Sequence, residues 1–213
     1  INGDSGTGKE LIAKAIHMNS SRRFFPMVTV HCGAIAENLM ESELFGHERG
    51  AFTGAQYARK GKFEMADGAT LFLDEISTIS MKMQIEILRV LETKKFARVG
   101  GNREFKSDFR VICATNRDLA SMVKNGEFRE DLFYRLNVFS IIIPPLRERV
   151  EDIKLLSEHF VKLYADQMNK GTRHIGKRAA KALQNYAFPG NVRELENLIE
   201  RAIVIGSGDT VQL

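Results

Sequence analysis

The most informative segment of this 213-residue sequence is the heptapeptide Gly3-Asp4-Ser5-Gly6-Thr7-Gly8-Lys9. It fits the phosphate-loop pattern, in which two glycines enclose four residues and a lysine follows at once. The glycines allow backbone turns that side chains would forbid, so consecutive N–H groups can face one concavity at a helix start, where the dipole favours an anion. Lys9 adds a charge suited to the β- and γ-phosphates of a nucleotide. We refer to this segment as the phosphate loop; the alternative is a glycine-rich turn before an ordinary helix.

The residues that follow the phosphate loop predict a helix, because Leu11, Ile12, Ala15 and Ile16 recur at helical spacing. A generic phosphate loop has serine or threonine directly after the lysine, and its hydroxyl ligates Mg²⁺. Glu10 stands at that position here. We therefore expect the metal to depend more on the nucleotide, on water and on a carboxylate from elsewhere in the chain.

Runs rich in apolar residues further along the chain predict strands. These runs lie at residues 27–32, 70–73, 110–114 and 139–143. Helical patterns alternate with them, at residues 39–45 and along the stripe Met81, Ile85, Leu88 and Leu91. Strands that alternate with helices indicate a parallel sheet covered by helices on both faces, which is the α/β class. The glycine-rich, charged residues 46–62 are predicted as a loop.

The pattern changes after Pro144-Pro145, where only helical spacing remains. The predicted helices there lie at residues 153–168, 177–186 and 192–205. We therefore predict two domains. The first is an α/β core at residues 1–144 whose first strand is truncated, and the second is a small all-helical domain at residues 145–213.

Polar side chains follow two of the predicted strands. Asp74 and Glu75 come directly after one apolar run, and Thr115-Asn116 ends the next. The carboxyl ends of parallel strands form the edge where α/β sheets bind ligands. Asp74 would hold Mg²⁺, directly or through water, Glu75 would polarise the attacking water as general base, and Asn116 would sense the γ-phosphate. The alternatives are two acids that cap the next helix and ordinary turn residues at a strand end.

Composition and charge exclude several classes of protein. Hydrophobic residues make up 44% and charged residues 27% of the chain, as in globular domains, which argues against disorder. No apolar run approaches the roughly 18 residues that a membrane helix needs. The two cysteines are too few for a disulfide framework, and the five histidines do not cluster as metal ligands. The net charge of +4 leaves two alternatives, attraction to nucleic acid or a mildly basic surface.

Six motifs occur in the order found in one known family. They are the phosphate loop with Glu10, Glu43-Leu44-Phe45-Gly46-His47-Glu48, Gly50-Ala51-Phe52-Thr53-Gly54-Ala55, Asp74-Glu75, Phe128-Arg129-Glu130-Asp131-Leu132-Phe133-Tyr134-Arg135-Leu136 and Gly190-Asn191-Val192-Arg193-Glu194-Leu195. Together they resemble the central AAA+ domain of bacterial enhancer-binding proteins, the activators of sigma-54 RNA polymerase, over essentially the whole chain. The most specific motif is the one at residues 50–55, which we refer to as the hexapeptide. In this family glutamate is usual after the lysine.

The resemblance implies an AAA+ phosphate-loop NTPase core, a helical lid domain and Mg²⁺-dependent ATPase activity. It further implies a ring, typically a hexamer, with ATP between neighbouring subunits, which remodels the closed complex of the sigma-54 RNA polymerase holoenzyme in the bacterial cytoplasm. A flanking helix-turn-helix domain that binds DNA is usual in the family and is expected outside this chain. The resemblance assigns nucleotide binding to Gly3, Asp4, Ser5, Gly6, Thr7, Gly8, Lys9, Glu10, Leu11 and Arg193.

The resemblance also gives roles to two arginines. Arg129 and Arg135 match the arginines placed near the γ-phosphate of a neighbouring subunit. A guanidinium there neutralises charge that develops in the transition state. Without the family, salt bridges to Glu127, Glu130 or Asp131 are the alternative.

A third arginine lies in the predicted lid domain. Asn191 is predicted to cap its helix, with Glu194 three residues later as in a capping box, which places Arg193 in the first turn. A cation there opposes the helix dipole unless an anion is near. By resemblance Arg193 is the sensor that contacts nucleotide from the lid, and a solvated arginine is the alternative.

The hexapeptide has an unusual aromatic residue. Phe52 stands between small residues and glycines that offer nothing to bury it, which favours an exposed contact on a mobile loop. By resemblance the whole hexapeptide contacts sigma-54. The alternative is a loop folded back onto the core.

His31 departs from the family, in which asparagine is common and restrains the glutamate of the Asp74-Glu75 pair. By that correspondence we expect His31 to face Glu75. Histidine is the side chain that most readily changes charge near neutrality. The hypothesis is a pH-sensitive switch in which protonated His31 restrains the general base, and the alternative is a histidine packed under the sheet with a backbone partner.

These residues are compatible with three functions. The leading one is an ATP-driven remodeller of the sigma-54 polymerase. A different AAA+ remodelling ATPase is disfavoured by the hexapeptide. A nucleotide-gated binding module without turnover is disfavoured because Lys9, Asp74, Glu75, Arg129 and Arg135 are all intact.

Overall fold

A computed structural model describes most of the chain, at residues 1–171, 174–206 and 210–211. The predicted helical domain ends at residue 213. Part of it therefore lies outside the described residues, namely 172–173, 207–209 and 212–213.

Contacts between residues divide the chain into two compact units. The first unit consists of Ile1–Asn2 and Lys9–Ile142, and the second of Gly3–Gly8 and Ile143–Leu213. The glycine-containing part of the phosphate loop thus groups with the second unit. The predicted domain boundary at residue 144 stays a prediction.

Helices and short strands alternate along the first unit, and helices dominate the second. The α-helices are α1 (Lys9–Met18), α2 (Glu37–Phe45), α3 (Lys62–Met65), α4 (Met81–Thr93), α5 (Leu119–Lys124), α6 (Glu130–Leu136), α7 (Val150–Gln167), α8 (Lys177–Asn185) and α9 (Asn191–Ile205). The strands are β1 (Met27–His31), β2 (Gly46–His47), β3 (Arg59–Lys60), β4 (Thr70–Asp74), β5 (Lys95–Ala97), β6 (Glu104–Lys106), β7 (Arg110–Cys113), β8 (His174–Ile175) and β9 (Thr210–Val211). Short 3-10 helices lie at Cys32–Ala34, Ile76–Thr78 and Leu146–Glu148.

β1, β4 and β7 form a parallel sheet with β4 in the centre. Alternate residues of β4 face different helices. Phe72 packs with Ala13 of α1, whereas Leu71 and Leu73 belong to the main core together with residues of α2 and α4. All three strand residues are fully buried, which explains the uninterrupted apolar sequence of β4. The predicted α/β class, with a parallel sheet between helices, is confirmed.

The predicted strand at residues 139–143 is wrong, whereas the other three predicted strands are present. Only Ile142 makes a β-bridge, to Asn2. The side chain of Phe139 is 83% exposed and that of Ile142 is 76% exposed. The apolar composition of the run predicts burial, but within it only Ile143 is buried.

The helix predicted after the phosphate loop is present as α1, and most of the apolar residues that predict it are not the ones it buries. Ala13 and His17 are buried, while Leu11 is 67% exposed. Phe72 occupies the space beneath the helix, so the small side chain of Ala13 fits there. His17 Nδ1 lies 2.9 Å from Thr70 Oγ1, which satisfies a polar group inside the core.

The apolar stripe predicted on α4 contacts the core along its second half only. Met81 and Ile85 are about half exposed, whereas Leu88 packs against the main core and Leu91 is buried in it. Met83, Ile87 and Val90, outside the predicted stripe, are also buried there. Helical spacing identifies a helix, but this helix carries apolar residues on two faces, and tertiary packing selects one of them.

The predicted loop at residues 46–62 is closed at its base by a short antiparallel ladder. Gly46 pairs with Lys60 and His47 with Arg59, so β2 and β3 enclose the hexapeptide. The loop prediction is therefore right for the tip and wrong for both ends.

The second unit has a core of its own, formed by α7, α8 and α9. Its buried residues include Leu146, Ile153, Phe160, Leu195 and Ile199. The three predicted helices are present with slightly shifted ends. β8 and β9 add a short parallel pair, so this part of the chain is not entirely helical as predicted. No helix within the described residues combines the length and apolar character needed to cross a membrane.

Candidate functional site

Two side chains of the second unit hold the backbone of the phosphate loop. Asn191 donates through Nδ2 to the carbonyl of Ser5, and Arg149 donates through Nη2 to the carbonyl of Thr7, both at 2.9 Å. Asn191 is fully buried, and its Oδ1 accepts the N–H of Leu146 at 2.8 Å. One amide side chain therefore joins the phosphate loop to the beginning of the second core.

The carbonyl of Gly6, between these two, is held by backbone donors. It accepts the N–H groups of Val192 at 3.0 Å and of Arg193 at 3.3 Å. The N–H and C=O of a trans peptide point in opposite directions. Fixing the carbonyls of Ser5 and Thr7 therefore turns the N–H groups of the residues that follow them, Gly6 and Gly8, to the other side of the loop. Arg193 Nη1 also lies 3.4 Å from Ser5 Oγ. This arrangement of amides and a guanidinium suits an anion.

Lys9 and Glu10 begin α1 in the first unit. Glu10 Oε1 lies 2.8 Å from Lys14 Nζ. The pKa of Glu10 is below its usual range, and the largest cause is the hydrogen bond that Lys14 donates to the carboxylate. Glu10 is therefore a carboxylate at neutral pH, at the position where a generic phosphate loop carries a hydroxyl.

Asp74 and Glu75 lie at the carboxyl end of the central strand. Asp74 Oδ1 accepts the N–H of Glu75 at 3.1 Å. Glu75 has left-handed backbone angles, φ 55° and ψ 43°, which cost about 1–3 kcal/mol in a non-glycine residue and are often found at functional sites. Its carboxylate lies against Gly33, where a Cβ would overlap Glu75 Oε2. The general-base candidate is therefore held in a strained turn.

His31 does not face Glu75 as predicted. It is the register partner of Asp74 on the neighbouring strand, and its Nδ1 lies 3.2 Å from Asp74 Oδ2. The left-handed turn directs the Glu75 side chain to Gly33 instead. The predicted contact failed because register, which decides the partner, is not visible in a single strand.

The residues present at this edge fit a hard divalent cation in part. Carboxylate oxygens are the ligands that Mg²⁺ prefers, and Asp74 offers one at the end of β4. Among the described residues, no group of three or more His, Cys, Asp or Glu side chains is arranged to hold a metal. A cation beside Asp74 would therefore need nucleotide and water oxygens as further ligands.

Thr115 and Asn116 follow β7 at the same edge of the sheet. Thr115 is buried, and its Oγ1 accepts the N–H of Arg117 at 3.0 Å. Asn116 is exposed. The buried threonine thus closes the turn, and the exposed amide stays the candidate for γ-phosphate contact.

Arg129 and Arg135 both have partners within the chain. Arg129 pairs with Asp131 through two hydrogen bonds, Nε to Oδ1 at 3.0 Å and Nη2 to Oδ2 at 2.6 Å, and holds the pKa of that carboxyl below its usual range. Arg135 Nη2 donates to the carbonyl of Leu91 at 3.0 Å, near the end of α4. Both arginines would have to exchange these contacts to reach the phosphate of a neighbouring subunit.

Asn191 is not the helix cap that its sequence position predicts. Gly190 precedes the helix, and Glu194 Oε2 accepts the N–H of Gly190 at 2.8 Å, so the predicted capping contact is shifted by one residue. Asn191 itself has a positive φ of 54° and uses its amide on the phosphate loop. Arg193 does lie in the first turn of α9.

The hexapeptide forms a turn that is exposed at residues 52–54 and buried at Ala55. The N–H of Gly50 donates to the carbonyl of Ala55 at 2.8 Å, which closes the turn on itself. Phe52 is 42% exposed, and one edge of its ring meets His47, with ring centroids 5.0 Å apart. Phe52 is thus partly supported and partly available to a partner.

One arginine outside all the predicted motifs braces the base of this turn. Arg98 makes paired hydrogen bonds to Glu64 of α3, at 2.9 Å from Nη2 to Oε2, and a further one to Glu48 at 3.1 Å. Its guanidinium also lies over the ring of Phe105, 4.7 Å from the centroid. Sequence reasoning missed this cluster because no local spacing relates Arg98 to its partners.

A protein-family model described as the sigma-54 interaction domain matches residues 1–142. The chain belongs to the sigma-54 interaction domain family. A second family model, described as the AAA+ ATPase lid domain, matches residues 147–213. The AAA+ fold and the enhancer-binding family expected from the motifs are confirmed.

Curated relatives of this sigma-54 interaction domain include the regulatory protein AtoC of Escherichia coli, 53% identical over 99% of this chain and 46% of that protein. The Nif-specific regulatory protein of Herbaspirillum seropedicae is 54% identical over 99% of this chain and 39% of that protein. The crystal structure of NtrX from Brucella abortus in complex with ATP matches with a TM-score of 0.91 and 42% identity, over 100% of this chain and 48% of that one. The chain spans less than half the length of these relatives.

Proposed function

We propose that this chain hydrolyses ATP and uses turnover to move the hexapeptide against sigma-54. The closed complex of the sigma-54 RNA polymerase would thereby be remodelled in the bacterial cytoplasm, and transcription would begin. The observation that carries the proposal is Phe52, 42% exposed on a turn whose base Arg98 braces. An exposed phenylalanine on a braced turn suits a protein partner, and membership of the sigma-54 interaction domain family supports sigma-54 as that partner.

Phosphate recognition in this proposal belongs to the phosphate loop. Its amide groups and Lys9 would bind the β- and γ-phosphates, Arg193 would add a positive charge, and Leu11 would contact the nucleotide. The hydrogen bonds on the carbonyls of Ser5 and Thr7 support this role, because a loop already held in shape needs less ordering when the anion binds.

Hydrolysis would then depend on the end of β4. Glu75 would accept a proton from the attacking water, whose oxygen bonds to the γ-phosphorus as that phosphorus releases the oxygen bridging it to the β-phosphate. Asn116 would orient the γ-phosphate. Asp74 would hold Mg²⁺, which neutralises phosphate charge when bound. The strained backbone of Glu75 supports a catalytic position, because such strain is often found at active sites.

The proposal includes a ring, typically a hexamer, in which Arg129 and Arg135 act on ATP bound by a neighbour. Each would leave its partner within the chain, Asp131 or the carbonyl of Leu91, when the interface forms. DNA contact would come from a helix-turn-helix domain outside this chain.

Sigma-54 capture with an ATP transition-state analogue tests the partner. We expect Phe52→Ala to keep ATPase activity within about twofold, and to weaken capture by about 30-fold or more, as for an aromatic anchor at an interface. Phe24→Ala is the matched control, because Phe24 is 84% exposed and lies outside the hexapeptide. It should retain both activities. Parental capture by Phe52→Ala would show that this turn is not the sigma-54 contact.

A mixing experiment tests action between subunits. Arg135→Ala should lose turnover by about 10³-fold, the lower end of the effect of a transition-state arginine, and Lys9→Ala should lose turnover because a charge on the β- and γ-phosphates is removed. Mixed rings contain some interfaces with an intact lysine on one side and an intact arginine on the other, so part of the activity should return. Complete absence of rescue in rings shown by mass spectrometry to be mixed would contradict action in trans.

One observation favours a second candidate, a nucleotide-gated binding module without significant turnover. Arg129 is hydrogen-bonded to Asp131 within the chain, and while this pair is intact the arginine would not act on the ATP of a neighbour. Phosphate release measured against protein concentration separates the two functions. A rise steeper than linear supports the ring ATPase, whereas ATP binding without phosphate release at any concentration supports the gated module.

A further inference from the structure

His31 and Asp74 lie side by side at the carboxyl end of the sheet. They are register partners on parallel β1 and β4, so both side chains leave the sheet on the same face. His31 Nδ1 is 3.2 Å from Asp74 Oδ2, and the other oxygen, Oδ1, accepts the N–H of Glu75. Oδ2 is therefore the carboxylate oxygen that faces the imidazole of His31.

The separation of these two atoms suits joint coordination of one cation. Ligand atoms in adjacent positions of an octahedral ion lie about 3.0 Å apart when each is about 2.1 Å from the metal. The observed 3.2 Å needs only a small adjustment. A simple hydrogen bond has the same length, so the distance alone permits both arrangements and the ligand chemistry must separate them.

The imidazole is accessible to an ion from solvent. The side chain of His31 is 53% exposed and that of Asp74 is 22% exposed. The imidazole also acts weakly on a second acid, Glu10, whose pKa is lowered first by the hydrogen bond from Lys14 and least by His31.

We propose that His31 coordinates the divalent cation held by Asp74 and thereby shifts the metal preference of the site from Mg²⁺ towards Mn²⁺ and Co²⁺. Mg²⁺ selects hard oxygen ligands, whereas an imidazole nitrogen binds first-row transition ions well. The inference rests on the proposed function, because the cation is the one that accompanies the nucleotide. It adds a nitrogen ligand to a site otherwise composed of oxygen.

Pulsed electron paramagnetic resonance tests the coordination without turnover. Mn²⁺ is added with ADP to the purified chain at pH 8. A directly bound imidazole gives a ¹⁴N coupling to the Mn²⁺ spin. We expect this coupling in the parent and its loss in His31→Asn. The matched control is His159→Asn, which changes an exposed histidine of the second unit and should keep the coupling.

Metal affinities give a second, independent measure. We expect Mn²⁺ and Co²⁺ to bind the ADP complex of His31→Asn about tenfold more weakly than that of the parent, while Mg²⁺ affinity changes by less than about twofold. Equal losses for all three ions, with no ¹⁴N coupling in the parent, would mean that His31 only orients Asp74 through a hydrogen bond. That result would overturn the proposal.

Binding of fluorescent ADP in the presence of a chelator separates this inference from the proposed function. If no variant binds ADP, the proposed function fails. The Mn²⁺ spectrum of the nucleotide-free chain then decides the role of His31 alone. A ¹⁴N coupling that His31→Asn removes would support the ligand, and its absence would overturn it.

Discussion

The phosphate loop and the hexapeptide are both rich in glycine, yet they are held in different ways. The carbonyl of Ser5 in the phosphate loop accepts a hydrogen bond from Asn191, 186 positions later in the chain. The hexapeptide closes on itself through a bond from Gly50 to Ala55. A loop whose backbone is held by distant residues can bind an anion without reordering, whereas a turn that closes on itself and is braced by Arg98 at its base can move as a unit on that base.

The same contrast appears around one glycine of each loop. The φ angle of Gly6 is 77° and that of Gly50 is 81°, so both have a backbone conformation that favours glycine. A Cβ on Gly6 would overlap the carbonyl oxygen of Gly190, whereas a Cβ on Gly50 would meet no atom within 4 Å. Glycine is thus needed for conformation in both loops and for space only in the phosphate loop.

The largest effect is expected from Gly6→Ala. The added methyl group combines left-handed strain with overpacking against Gly190, so the free energy of unfolding should fall by about 2–5 kcal/mol. Displacement of the loop should also weaken ATP binding by more than about tenfold, which corresponds to only about 1.4 kcal/mol. Urea unfolding and titration with a fluorescent ATP analogue measure the two quantities. Parental stability together with parental affinity would show that the loop is not fixed by its surroundings.

Asn191→Ala tests the hydrogen bonds that hold the same loop. The substitution leaves the buried N–H of Leu146 without its partner, at about 1–3 kcal/mol, and the partly buried carbonyl of Ser5 without its partner, at about 1 kcal/mol. We expect a loss of about 2–4 kcal/mol in unfolding free energy, together with weaker ATP binding. Asn185→Ala, at the exposed end of α8, is the matched control and should change neither. A loss of stability with unchanged affinity would restrict Asn191 to a structural role.

The sheet and the placement of the acids could be predicted from local sequence. β4 is an uninterrupted apolar run because it is buried on both faces, and Asp74-Glu75 follow it at the edge where ligands bind. The partner of His31 could not be predicted, because it depends on register and on a left-handed turn. Glu75 is a non-glycine residue with positive φ, and no propensity indicates that conformation.

Long-range contacts account for the remaining errors. A local signal made Asn191 a helix cap, but its amide is used by partners that only the fold brings near it. Arg98 lies 34 residues from Glu64 and 50 from Glu48, so no periodic pattern connects them. Spacing predicts elements and their ends, whereas contacts between distant segments follow from the packing of those elements.

Gly50→Ala should have the smallest effect and completes the comparison with Gly6. The new methyl group meets open space, so only the left-handed strain remains, at about 1–2 kcal/mol. ATP affinity should stay at the parental value, while sigma-54 capture weakens because the turn that presents Phe52 is distorted. Urea unfolding, ATP titration and capture on the same preparation measure all three. If Gly50→Ala destabilises the chain as much as Gly6→Ala does, the hexapeptide is not an open, self-closed turn, and the contrast between the two loops fails.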